Sequence, residues 1–233
     1  DKVEVSVGPK IAIISTGDEL VDILETPLPG QIRDMNAYAL YGAIQAIGGK
    51  PKLWGIVRDD YNKMQKLLLE AYKESDMLIV SGGSSIGDRD FTRQAIQGLG
   101  NPGILVHGVG IKPGKPTILA MSDSKPIFGL PGHPMSCLVV FNLFVAPTIA
   151  KWMGTTLNQQ KVNAKFGANA PSIAGREDYI SVRLRKEDGD LWADPIFRKS
   201  ATISGLVHAD GTIRISVESE GVEFGENVTV TLF

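Results

Sequence analysis

The stretch DMLIVSGG (76–83) most narrows the folds open to this chain, because its centre carries no polar residue and a strand there is buried on both faces. Two further strand-like runs, KIAIIST (10–16) and KPKLWGIV (50–57), are separated from it and from each other by segments of helical periodicity. In residues 34–49, Ala37, Leu40, Tyr41, Ile44 and Ile47 recur at helical spacing, with Asp34 or Asn36 as candidate N-cap and a glycine pair as the stop. In residues 58–75, Met64, Leu67, Leu68, Ala71 and Tyr72 share one face, and Asp59 or Asp60 precedes the first turn. Buried strands that alternate with helices of about a dozen residues imply a mostly parallel sheet covered on both sides, a doubly wound α/β domain. Its expected span is 1–157. Near its end PTILAM and KPIFGL read as adjacent strands, and GHPMSCLVVFNLFVAPTIAKWMG as a long apolar helix that Pro147 kinks or interrupts.

After residue 158 the pattern changes to short runs: KVNAKF, EDYISVRLRKEDGDLWADPIF, TIRISVE and ENVTVTLF. Asp188-Gly189 is a turn signal that joins 178–186 to 190–197 as a hairpin. Residues 158–233 therefore read as a small C-terminal all-β domain, a barrel or a sandwich.

With 24 basic and 26 acidic residues and a pI near 6.0, the chain has no electrostatic footprint for general nucleic-acid or membrane-surface binding. No uninterrupted apolar run reaches the roughly 18 residues of a membrane span, and nothing at the start reads as a signal peptide. The lone Cys137 leaves no internal disulfide and fits a reducing compartment. A soluble, cytoplasmic protein is expected, with neither nucleic acid nor membrane as partner. The chain opens on Asp1, as a fragment, a processed form or a trimmed chain would.

In an open α/β sheet, ligands bind beyond the carboxyl ends of the strands. Four polar loops fall there, STGDEL, RDD, SGGSSIGDRD and GLPGHP, and are expected to lie near one another. Gly82 and Gly83 let backbone N–H groups approach a phosphate while Ser84 and Ser85 add hydroxyl donors; a tight strand-to-helix turn explains the pair equally well. Neither a P-loop nor a GxGxxG spacing is present. Asp18, Glu19, Asp59, Asp60, Asp88 and Asp90 gather at the same edge, and a few carboxylates beside a phosphate are what Mg²⁺ needs. Asp59, Asp60 and Asp90 are also candidate N-caps. Lys112 and Lys115 flank a Pro-Gly turn and suit an oxyanion as point charges, or else form a solvated turn. Pro131, Gly132 and Pro134 stiffen a loop directly before a helix N-terminus that can face an anion. His107, His133 and His208 show no metal-ligand spacing, and no nucleophile, base and orienter set is visible.

Taken in order, IISTGDEL, DMNAYAL, GIVRDD, VSGGSSIGDRDFT, IKPGKPT and GLPGHPMS resemble the molybdopterin molybdenumtransferase family, MoeA and the E domain of gephyrin. GREDYISVRL and SATISGLVHADGTIRI resemble that family's last domain. The resemblance implies a molybdopterin-binding-like α/β domain and a reaction in which molybdate enters adenylylated molybdopterin and AMP is released, with Mg²⁺. It implies catalytic roles for Glu19, Asp59, Asp90 and Lys112, with Asp59 and Asp90 holding the metal. Gly82, Gly83, Ser84, Ser85, Lys115, Pro131, Gly132 and Pro134 would bind the cofactor. A homodimer is implied, with molybdopterin adenylyltransferase as a pathway partner. The chain departs from the family at His133, usually asparagine, and at Gly108, where some members have lysine; it also starts just before the α/β domain, where family members usually carry an N-terminal extension that forms two more domains. Two alternatives are a molybdopterin adenylyltransferase, which shares the α/β domain and the glycine loop but against which the C-terminal β domain and the KPGKP and GLPGHP motifs argue, and a non-catalytic molybdopterin-binding or dimerisation scaffold, against which the three matched acids argue.

Overall fold

The computed structural model describes residues 2–82, 91–197 and 207–233, which form two compact units. The first comprises 1–109 and 116–157, the second 110–115 and 158–233. The sequence reading placed 110–115 in the α/β domain. Ile111 and Lys112 instead form a two-residue strand that pairs in parallel with Glu177 and Asp178, and this ladder draws the segment into the second unit.

The first unit is built on a six-stranded sheet. Its spatial order is Lys50–Val57, Lys10–Thr16, Met77–Ser81, Lys125–Leu130, Ile118–Ser122, Pro102–His107. The first four strands pair in parallel, and Ile118–Ser122 pairs antiparallel with both Lys125–Leu130 and Pro102–His107. Met77–Ser81 is buried at every position, as its lack of alternation requires, and so is Lys10–Thr16 beyond its first residue. The edge strand Lys50–Val57 is only partly covered.

Helices cover both faces. On one, Met64, Leu68 and Ala71 of Tyr61–Glu74 and Ala95 and Ile96 of Phe91–Gln97 pack with Ala12, Ile14, Leu78, Val80 and Ile127. The helix Met35–Ala46 and the long Pro134–Trp152 segment lie on the other, where Asn36 and Cys137 both meet Ser81. Met35–Ala46 ends as the glycine pair predicts: Gly48 N–H donates to Gln45 O at 3.0 Å and Gly49 N–H to Ile44 O at 3.0 Å, closing the last carbonyls.

Pro147 leaves the long helix continuous. The preceding turn, Phe141–Val145, widens to π geometry, and Thr148 Oγ1 donates to Phe144 O at 2.7 Å. A proline has no N–H and crowds the carbonyl four residues back, so a wider turn accommodates it. By length and composition this 19-residue helix suffices to cross a bilayer, and 56% of the apolar window is buried inside the protein.

In the second unit Lys161–Phe166, Asn227–Leu232, Gly211–Ile215, Glu177–Glu187 and Asp190–Pro195 are neighbours in that order. Asp190–Pro195 pairs with both Lys161–Phe166 and Glu177–Glu187, so the five strands close into a barrel. Of the two expected forms the barrel is the one observed. Phe166, Val182, Ala193, Ile213 and Val230 fill its interior.

Candidate functional site

Lys10–Thr16 has its sequence successor in the sheet, Lys50–Val57, on one side and Met77–Ser81 on the other. The loops leaving its carboxyl end and that of Met77–Ser81 therefore depart in opposite directions and leave a crevice, the switch point where open sheets bind ligands.

Thr16 is buried there, and its hydroxyl donates to Asp59 Oδ1 at 3.1 Å. The Asp59 N–H donates to Asp18 Oδ1 at 3.3 Å, tying the ends of two adjacent parallel strands together through carboxylates. Asp60, not Asp59, caps the following helix: it accepts from Lys63 N–H at 3.0 Å, a bond that holds its carboxyl below the ordinary value. Asp59 is thereby left exposed at the crevice, with Thr16 engaging one of its oxygens. Glu19 folds back over Gly17, where an added Cβ would lie 2.7 Å from Glu19 Oε2. Its carbonyl accepts from Ile32 N–H at 2.8 Å, which anchors the turn.

Gly82 closes the floor. Its φ is +98°, and a Cβ there would stand 2.2 Å from the Thr16 carbonyl oxygen, so the backbone of one loop lies directly on the other. Gly82 N–H donates to Leu130 O at 3.0 Å, and Gly132 lies close enough that its own Cβ would be 3.6 Å from Gly82 Cα. Pro131 is buried, Gly132 exposed, and Pro134 is the first residue of the long helix, where a missing N–H costs no bond.

The structure thus brings Glu19, Asp59, Gly82, Pro131, Gly132 and Pro134 to one edge of the first unit. Gly83, Ser84, Ser85 and Asp90 lie outside the described residues. Among the described residues, no three His, Cys, Asp or Glu side chains gather closely enough to hold a metal.

Lys112 and Lys115 belong to the second unit, both exposed. Lys112 Nζ lies 3.6 Å from Asp178 Oδ2, and Arg176 Nε donates to Asp178 Oδ1 at 2.9 Å. Asp178 is buried while both cations reach solvent, so it orients Lys112 and its loss leaves no charge stranded in the interior. Asp178→Ala is expected to cost about 2 kcal/mol in urea denaturation, the value of a charge-assisted bond plus packing.

One polar residue at the crevice of the first unit escaped the sequence reading as a site group. Asn36 was a candidate cap, but Asp34 caps the helix by accepting from Ala37 N–H at 3.1 Å. Asn36 Nδ2 instead donates to Ser81 Oγ at 2.9 Å and to Gly132 O at 2.8 Å. The available signal was position: 36, 40 and 44 form one stripe, and its other members are apolar.

Cys137 is a core thiol, as expected, 3.9 Å from Ser81 Oγ. Burial, with a smaller contribution from the Asp34 charge and against the Ser81 contact, pushes its pKa up to about 12. Native protein at pH 8 should resist iodoacetamide while urea-unfolded protein reacts, as mass spectrometry would read directly. Because the folded pKa is raised, the thiol's contribution to stability is complete below pH 9, its ordinary pKa, and is lost as pH rises toward 12.

These features define a doubly wound domain with a carboxylate-lined, glycine-floored crevice, joined to a small closed barrel. Residues 12–151 match the family described as "Probable molybdopterin binding domain", and 163–233 the "MoeA C-terminal region (domain IV)". The chain belongs to the molybdopterin molybdenumtransferase (MoeA) family. It is 38% identical over 193 residues to the molybdopterin molybdenumtransferase of a Nostoc species, covering 81% of this chain and 44% of that one. It is 32% identical over 226 residues to that of Bacillus subtilis, covering 96% and 52%. The crystal structure of a molybdopterin biosynthesis MoeA protein from Pyrococcus horikoshii superposes with a TM-score of 0.84 at 37% identity, over 97% of this chain and 54% of that one. The chain spans about half the length of the curated relatives it matches.

Proposed function

We propose that the chain acts in molybdenum cofactor biosynthesis, binding adenylylated molybdopterin and molybdate and supporting molybdate insertion with release of AMP. The observation that carries this reading is the approach of the Gly82 loop to Thr16 beside the exposed Asp59, at the sheet's switch point. Such a crevice accepts a phosphate on glycine backbone with acidic groups at its rim.

In this reading Gly82 sets the close approach of the two loops, its own N–H being used on Leu130 O, while Gly83, Ser84 and Ser85 hold the phosphate end of the pterin, and the Pro131–Gly132–Pro134 loop presents a helix N-terminus to negative charge. The oxygen-only donor set at Asp59, with one carboxylate oxygen on Thr16, suits Mg²⁺, which takes few protein oxygens and shares those of a phosphate. Asp59 and Asp90 would hold it, and the ion would supply charge neutralisation at the pyrophosphate. Glu19 and Asp59 orient the water that attacks the link to AMP, with no enzyme nucleophile required. Lys112 and Lys115 are point charges suited to a tetrahedral dianion. Their role is binding and steering.

The test supplies adenylylated molybdopterin, Mg²⁺ and molybdate and follows AMP and metallated cofactor. AMP release that depends on molybdate is the expected result. ATP consumption with free molybdopterin would transfer the assignment to adenylylation, and binding without either reaction would leave a scaffold in its place.

A further inference from the structure

Asn36 is a polar residue in an apolar stripe. It precedes the fully buried Leu40 and Ile44 by one and two turns and is itself only 9% exposed. Burying an amide costs free energy unless its groups are paired, and both Nδ2 hydrogens are used, one on Ser81 Oγ and one on Gly132 O. A carbonyl can only accept, so the Gly132 contact fixes which end of the amide faces it.

The two acceptors are far apart in sequence but flank one crevice. Ser81 directly precedes Gly82, and Gly132 lies between Pro131 and the long helix. One side chain therefore grips both loops, next to the Gly82 N–H to Leu130 O bond that joins them through backbone. The gripping residue is itself held: Asp34 caps its helix, and the Asp34 N–H donates to Val21 O at 2.9 Å.

We infer that Asn36 is a positioning residue that sets the separation of the Gly82 and Gly132 loops, and with it the width of the crevice that takes the phosphate end of the pterin. It acts through the loops and makes no substrate contact. The inference rests on the functional reading above, and the experiment separates the two.

Asn36→Asp keeps the shape but turns a carboxylate oxygen toward the Gly132 carbonyl, acceptor against acceptor, which pushes the loops apart. Asn36→Gln keeps both donors at a reach one methylene longer and should partly restore the bracket. Leu68→Ala, in the core beneath the opposite face, is the control for lost stability alone. For each, the dissociation constant for adenylylated molybdopterin is read from pterin fluorescence, beside the melting temperature and hydrogen exchange at the Gly82 amide. Asn36→Asp should weaken binding on the order of ten- to a hundredfold, the scale of a small misplacement of binding groups. Asn36→Gln should weaken it less, and Leu68→Ala should leave it unchanged. Gly82 exchange should accelerate in Asn36→Asp beyond what its melting temperature accounts for in the control. Wild-type affinity and wild-type Gly82 exchange in Asn36→Asp would overturn the inference. If the wild-type chain itself fails to bind adenylylated molybdopterin, the functional reading falls, and Gly82 exchange alone decides the bracket: selective acceleration upholds it, its absence overturns it.

Discussion

Gly82→Ala is expected to lower stability by roughly 3 kcal/mol or more, the size of a backbone clash combined with a strained φ. Two effects act together. At φ +98° any Cβ is strained, and this one would stand 2.2 Å from the Thr16 carbonyl oxygen. That oxygen cannot retreat, because Thr16 ends a strand that is paired on both sides and whose Ile11, Ala12 and Ile14 are fully buried. Gly30→Ala separates the effects: φ there is +85°, but an added Cβ meets nothing within 4 Å. It should cost about 1 kcal/mol from conformation alone. Urea midpoints for the two variants read the difference, and equal losses would show that the contact between the Gly82 and Thr16 loops is not rigid. The alanine at 82 should also lose phosphate-ligand binding at temperatures where it remains folded, since the same displacement moves the crevice floor.

How much of this was legible in the sequence depends on whether a feature is local. The parallel core could be read because Met77–Ser81 is buried on both faces and shows no alternation, and the barrel strands because each is bounded by turn chemistry. Asp188 and Gly189, at φ 48° and 86°, form the tight turn their residue types predict. Pro102–His107 was not anticipated. It opens on Pro-Gly, is bulged near Leu105 and is mostly exposed, so neither period nor burial marks it. The two-residue strand Ile111–Lys112 has no period at all, and only its pairing partners, more than sixty positions later, assign it to the barrel unit. At the site, the converging loops followed from the sheet rule, but the division of roles between Asp59 and Asp60 did not. Adjacent aspartates before a helix are equivalent cap candidates until the register of the first turn is known. Asn36 illustrates the same limit: its partners at 81 and 132 come from two other strand ends, and no local pattern contains them.

The resolved roles of that aspartate pair yield the other large expected effect. Asp59→Asn keeps an oxygen to accept from Thr16 Oγ1 and keeps the side-chain volume, so it removes charge and little else. Its melting temperature should stay at the wild-type value or rise slightly, because Asp18 and Glu19 lie on the adjoining turn and one of several like charges is removed. In the proposed reaction, molybdate-dependent AMP release should nevertheless fall on the order of 10²–10³-fold, the cost of losing one preorganised electrostatic group at the reacting phosphates. The neighbouring Asp60→Asn offers the contrast. Asparagine is as good an N-cap as aspartate, so the Lys63 N–H keeps its acceptor and AMP release should hold near wild type. Measured side by side under saturating Mg²⁺, a large loss at 59 with little at 60 supports Asp59 as the group at the reacting phosphates. Comparable losses at both positions would mean that the acidic edge acts through its summed field, and the specific role assigned to Asp59 would have to be abandoned.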